Sequence, residues 1–97
     1  MFEAAVQRGI KRLNDHFGKI KWVEHIDIDG LDMAGSSQCV VGQLFGEYWT
    51  GIGEVANVTG NGDHLYGFTV PGDIDPCDRG EAWQELTLEW QAALRNY

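Results

Sequence analysis

The stretch that decides the fold is the last one, GEAWQELTLEWQAALRNY, at residues 80–97. Its apolar side chains recur every three or four residues, which is the period of one face of an α-helix. The members of this stripe are Trp83, Leu86, Trp90, Ala93 or Leu94, and Tyr97. The pattern predicts a helix over residues 80–96 that closes the domain.

A second amphipathic stripe lies at the opposite end of the chain. Its apolar members, separated by three or four residues, are Phe2, Val6, Ile10, Leu13 and Phe17. Polar and mainly basic residues occupy the other side of this segment, and Gly18 is suited to a helix C-cap. The spacing predicts an amphipathic helix over residues 2–17.

A central helix is predicted over residues 37–50, with Ser36 or Ser37 as its N-cap. Its apolar face consists of Val41, Leu44, Phe45, Tyr48, Ile52 and Val55. The opposite face carries the small residues Cys39, Gly42 and Gly46. Because small side chains let another backbone approach closely, this face is a candidate for close packing or for contact with a ligand.

The remaining segments are rich in turn-forming residues. Residues 22–33 combine Gly30 with several aspartates, which favours irregular structure with one helical turn at 22–26. The pair Asn61-Gly62 is a hairpin signal, and the alternation over 64–70 is compatible with a short strand. We therefore expect a mainly α, compact three-helix single domain over residues 1–97, with room for one small β-hairpin.

Charge is distributed unevenly along the 97 residues, whose formal net charge is -8. Residues 1–21 carry a net +3, whereas residues 22–78 contain ten acids and no Lys or Arg. This balance argues against direct nucleic-acid binding, which depends on Lys and Arg. It favours a partner with a basic surface. Glu81, Glu85 and Glu89 form a stripe of like charges, which we expect to face the basic side of the first helix.

Several segments bear on location. No uncharged run reaches the roughly 20 apolar residues of a membrane span, and the first residues lack the pattern of a secretory signal. We therefore expect a cytoplasmic protein that does not enter a membrane. In that reducing compartment Cys39 and Cys77 are expected to be two thiols rather than a disulfide.

No group of residues forms a recognisable catalytic constellation. Cys39, in the first turn of the central helix, could be an activated nucleophile, but a buried small hydrophobe is the simpler interpretation. The acidic turn 27–32 resembles a calcium loop, although Leu31 and Gln38 occupy positions that would need oxygen ligands. A zinc site is supported only by the presence of Cys39, Cys77 and histidines in the chain, because these residues do not show the close spacing that is typical of zinc ligands. We expect no enzyme activity, no metal and no cofactor.

Aromatic residues outside the helical stripes indicate an interaction surface, since Trp and Tyr are enriched at protein interfaces. The expected surface consists of Trp22, Trp49, Tyr48, Glu47, Asp29 and Asp32. Its acids are suited to a basic partner, and self-association as a homodimer is a second arrangement that the sequence leaves open.

Four stretches of this chain resemble one family of small proteins. They are IDIDGLDM at 26–33, CVVGQLFGEYW at 39–49, YGF at 66–68 and LTLEW at 86–90. Together they are similar to small uncharacterised proteins of actinobacteria and their phages. These proteins often carry a second Cys shortly before the position of Cys39, where this chain has Ser36 and Ser37. The resemblance implies no catalytic residue.

The function expected from these observations is non-enzymatic. We expect a small acidic, cytoplasmic protein of phage or mobile-element type that binds a host protein. The alternative is a small-molecule or metal-binding regulatory domain with a site along Cys39, Gly42 and Gly46. Pull-down of a partner favours the first expectation, and thermal stabilisation by a compound favours the second.

Overall fold

The computed structural model describes residues 2–18, 21–35, 37–46, 66–70 and 75–97. Within these ranges the chain forms three α-helices, α1 at Glu3–Phe17, α2 at Val40–Phe45 and α3 at Arg79–Arg95. A short 3-10 helix spans Trp22–His25. The predicted mainly helical, three-helix fold is confirmed, and the two long helices begin and end within one residue of their expected bounds.

The second helix differs from its prediction. It begins three residues later than expected, because Cys39 rather than a serine is the N-cap, with its Sγ accepting a 3.2 Å hydrogen bond from the backbone N–H of Gly42. It ends at Phe45, five residues before its expected end, because the C-cap Gly46 has a left-handed φ of 87°. Ser36 and residues 47–50 lie outside the described residues.

The inner face of α3 is the centre of the core. Ala82, Leu86, Trp90 and Leu94 are buried, and the indole N–H of Trp90 donates a 2.6 Å hydrogen bond to the carbonyl of Gly67. Tyr97, expected on the same stripe, is instead 61% exposed. The helix has ended at Arg95, so Tyr97 no longer follows the helical period.

Helices α1 and α3 pack against each other while running in the same direction. Phe2, the N-cap of α1, lines one cavity together with Glu85, and Asn14 near the end of α1 accepts a hydrogen bond from the hydroxyl of Tyr97. The close approach depends on Gly9, since a Cβ there would clash with the carbonyl of Tyr66 and the ring of Trp90.

Residues 21–35 cover the core as an irregular segment, as predicted. Its buried apolar side chains are those of Trp22, Ile26, Leu31 and Met33, and Val23 and Ile28 are half-buried against them. Hydrogen bonds to α3 hold the segment in place, among them those from the Met33 N–H to the Thr87 hydroxyl and from the Gln91 amide to the Ile28 carbonyl. Residues 66–70 form a helical turn followed by bends, so the short strand expected over residues 64–70 is wrong for the part of it that the structure describes. The expected Asn61-Gly62 hairpin turn lies outside the described residues.

Candidate functional site

The interaction surface expected from the sequence is only partly exposed. Trp22 is 2% exposed, so the expectation that it lies free on the surface is wrong. Its ring packs into the core, and its indole N–H donates a 2.9 Å hydrogen bond to Asn14 Oδ1, which satisfies the one polar group of the side chain. Glu47, Tyr48 and Trp49 lie outside the described residues.

The two aspartates of that surface are on the outside of the molecule. Asp29 forms a salt bridge with Arg95, in which Asp29 Oδ1 lies 2.9 Å from Arg95 Nη2. The Asp29 side chain is 91% exposed and that of Arg95 is 55% exposed. Asp32 accepts a hydrogen bond from the backbone N–H of Ala34. Because the neighbouring apolar side chains point into the core, this region presents charge without an exposed apolar contact.

The face of small residues on α2 is divided between the core and the surface. Cys39 is 1% exposed and Gly42 is buried, which fits close packing. Gly46 differs from the expectation, since a Cβ there would meet no atom within 4 Å. The left-handed backbone conformation of Gly46 favours glycine at this position.

The thiol of Cys39 is poorly suited to act as a nucleophile. Burial raises its pKa, although hydrogen bonds from backbone N–H groups act in the opposite direction. The thiolate is the reactive form, and a raised pKa keeps the thiol protonated at neutral pH. The geometry therefore fits a buried small hydrophobe that also caps α2. Cys39 and Cys77 are both free thiols, and Cys77 is exposed.

Two further expectations concern metals and membranes. In the part of the chain that the structure describes, no group of three or more His, Cys, Asp and Glu side chains is arranged to hold a metal ion. Within the same part, no helix combines the length and the apolar character that crossing a bilayer requires.

The expectation that the acidic stripe of α3 faces the basic side chains of α1 stays a prediction. The ion pairs that the structure gives between described residues are Lys11–Asp15, within α1, and Arg95–Asp29. Arg12 lies over the ring of Tyr66, 5.7 Å from its centroid.

A groove runs along the junction of α1 and α3. It contains two adjoining cavities of about 460 and 370 Å³, and the side chain of Glu89 lines both. We call it the α1–α3 groove; its described lining residues are Phe2, Gln7, Ile10, Glu85, Leu88, Glu89, Ala92, Ala93, Asn96 and Tyr97. This lining combines apolar side chains with two carboxylates and contains no Lys, Arg or His.

The groove also contains the two large hydrophobic side chains that are most exposed among the described residues. Leu88 is 56% exposed and lies in the first cavity, while Tyr97 is 61% exposed and lies in the second. Sequence reasoning missed both residues. Leu88 could have been found, since it lies two residues from Leu86 and therefore away from the buried stripe.

Tyr97 also borders a third cavity, of about 480 Å³, on the other side of the last turn of α3. Here Asn14 Oδ1 accepts hydrogen bonds from both the Trp22 indole, at 2.9 Å, and the Tyr97 hydroxyl, at 2.7 Å. The rings of Trp22 and Tyr97 lie 5.9 Å apart. These contacts hold the exposed Tyr97 in place at the end of the α1–α3 groove.

Comparisons of the chain with protein-family models, with curated proteins and with solved structures found no match. The resemblance to small actinobacterial and phage proteins therefore stays a prediction from the sequence.

Proposed function

We propose that this chain is a non-enzymatic protein-binding domain that recognises its partner through the α1–α3 groove. One observation carries the proposal: Leu88 and Tyr97, the large hydrophobic side chains most exposed among the described residues, both line this groove. Exposed apolar side chains grouped in a concave surface are typical of interaction sites. Tyrosine is also among the residues that contribute most to binding energy.

The identity of the partner follows from the sequence resemblance alone. If the chain is a phage or mobile-element product, its partner is a host protein, and the complex forms in the host cytoplasm. The alternative, a small-molecule or metal-binding regulator, placed its site along Cys39, Gly42 and Gly46. Cys39 is buried and caps α2, and a Cβ on Gly46 would meet no described atom, so the described residues offer no observation that favours this alternative.

A pull-down with matched variants tests the proposal. The tagged full chain is incubated with an actinobacterial lysate, beside Leu88→Ser, which removes an apolar contact of the groove. Gln84→Ser is the control, because Gln84 is exposed on the same helix and does not line the groove. We expect a stoichiometric partner that binds the parent chain and Gln84→Ser but not Leu88→Ser, with equal melting temperatures for all three.

Two outcomes would contradict the proposal. Retention of the partner by Leu88→Ser would show that the groove is not the binding surface. Loss of the partner on Trp49→Ala, with Leu88→Ser unaffected, would return the site to the surface expected from the sequence.

A further inference from the structure

We infer that the α1–α3 groove binds a basic amphipathic α-helix of the partner protein, an inference that rests on the proposed function and specifies its ligand. The juxtaposition that supports it is a trough between two helices that run in the same direction, with Leu88 and Tyr97 exposed in it and the carboxylates of Glu85 and Glu89 beside them.

The shape of the groove is suited to a helix. Its α3 side runs from Glu85 to the end of the helix, a rise of about 15 Å or about three helical turns. A helix that binds in such a groove places apolar side chains at positions i, i+3 or i+4, and i+7 along one face. The exposed Leu88 and Tyr97 lie at the two ends of the groove, where they can contact the first and last of these side chains.

The charge of the groove selects a basic helix. Glu85 and Glu89 line it, and no Lys, Arg or His is among its described lining residues. Glu81 precedes Glu85 by four residues, so the three carboxylates repel one another along one side of α3. Lys or Arg side chains flanking the apolar face of a bound helix would relieve this repulsion and form new ion pairs.

A second copy of the chain is a poorer occupant. The exposed basic face of α1 contains Arg8 and Lys11, but the exposed residues around them are Glu3, Ala4, Gln7 and Asp15. No large apolar side chain of α1 is therefore exposed beside its cations. This helix could satisfy the charge of the groove but could not fill its apolar surface.

The acidic segment of residues 21–35 supplies an internal control. Glu24 and Asp32 are exposed there, yet neither lines the α1–α3 groove. If a cationic peptide bound through net charge alone, removing the carboxylates of Glu24 and Asp32 would lower its affinity as much as removing those of Glu85 and Glu89. If the peptide binds in the groove, only the removal of Glu85 and Glu89 should lower its affinity.

The experiment uses two synthetic probes of about 14 residues, long enough for about four helical turns. Both carry leucines at helical spacing; one has Lys at all its other positions and its counterpart has Glu. Binding to the full chain is measured by fluorescence anisotropy. We expect the Lys peptide to bind and Glu85→Gln with Glu89→Gln to raise its Kd about ten-fold, the combined effect of two surface ion pairs.

The charge-matched control pair, Glu24→Gln with Asp32→Asn, is expected to raise that Kd less than about two-fold. Leu88→Ser should also weaken the Lys peptide, and the Glu peptide should bind more weakly than the Lys peptide. The inference would be overturned if the two double variants lost the same affinity for the Lys peptide, or if the Glu peptide bound the parent chain as tightly as the Lys peptide does. A dimer in sedimentation that Leu88→Ser dissociates would overturn it too, by placing a second copy in the groove.

These failures are distinguishable from failure of the proposed function. If the pull-down partner depends on Leu88 but the peptides show no preference for Lys, the groove binds a protein that is not a basic helix. If the partner does not depend on Leu88, the proposed function itself fails.

Discussion

The two faces of α3 use the same kinds of residue for opposite purposes. Leu86 and Leu88 are two residues apart; Leu86 is 0% exposed in the core and Leu88 is 56% exposed in the α1–α3 groove. Trp90 on the inner face is hydrogen-bonded to Gly67, and Tyr97 beyond the helix end is hydrogen-bonded to Asn14 but remains accessible. The comparison indicates that the inner face is the one that stabilises the fold, whereas the outer side leaves large hydrophobic side chains exposed.

The largest expected difference is between the two leucines. Leu86→Ala should lower the free energy of unfolding by about 2–5 kcal/mol, because it removes buried methyl groups and leaves a cavity. Leu88→Ala should change it by about 0.5 kcal/mol or less, as is usual at the surface. Urea unfolding followed by tryptophan fluorescence measures both. Similar losses in the free energy of unfolding for the two variants would mean that the two faces of α3 do not differ in their contribution to stability.

A second comparison separates crowded from open glycines. Gly9→Ala should destabilise the protein by about 1–3 kcal/mol, since its Cβ would clash with the Tyr66 carbonyl and the Trp90 ring and push α1 away from α3. Gly80→Ala should stabilise it by about 0.5–1 kcal/mol, because a Cβ there meets nothing within 4 Å and Ala favours the helix. Thermal unfolding of both variants is sufficient, and destabilisation by Gly80→Ala would contradict the packing described for α3.

The two cysteines extend the comparison to chemistry. Cys77 should react quickly with a thiol reagent at neutral pH because it is exposed, and Cys39 should react only on unfolding. The pKa of Cys39 is raised by burial, so the folded protein keeps a proton that the unfolded chain loses. Stability should therefore fall as pH rises above the ordinary thiol value of 9.0.

The loss of stability with rising pH should be steeper in the parent chain than in Cys39→Ala, which has no thiol at this position. Melting temperatures between neutral and alkaline pH measure both slopes. A Cys39→Ala slope equal to that of the parent chain would show that the buried thiol contributes nothing to it.

The smallest expected effect concerns the acidic stripe. Glu85→Gln with Glu89→Gln removes two like-charge pairs at i, i+4 and should stabilise the free protein by about 0.5 kcal/mol. In a domain of this size that raises the melting temperature by about 2–4 °C. Scanning calorimetry at low salt measures the shift, which should shrink at high salt. A lower melting temperature would mean that the carboxylates have stabilising partners in the folded protein.

The long helices could be predicted from the sequence because a stripe at helical spacing leaves few alternatives. The short helix could not, since its bounds depend on the Cys39 cap and on the left-handed conformation of Gly46. The burial of Trp22 could not be predicted, because this residue belongs to an irregular segment in which the spacing of apolar residues does not indicate which side chains face the core. Its burial depends on Asn14, eight residues earlier, as a hydrogen-bond acceptor.

The groove depends on information that periodicity does not contain. It forms where two helices that are distant in sequence pack in the same direction, and this arrangement determines which side chains share a surface. A residue off the buried stripe, such as Leu88, can be recognised from the sequence, but its neighbours across the groove cannot.

The central claim is that exposed apolar side chains, and not acidic charge alone, define the binding surface. The most direct test is a titration of the isotope-labelled full chain with the Lys peptide, followed by NMR chemical shifts. We predict the largest shifts at Leu88, Glu89 and Tyr97, with small shifts at Glu24 and Asp32. The largest shifts at Glu24 and Asp32, or equal shifts at every exposed carboxylate, would contradict it.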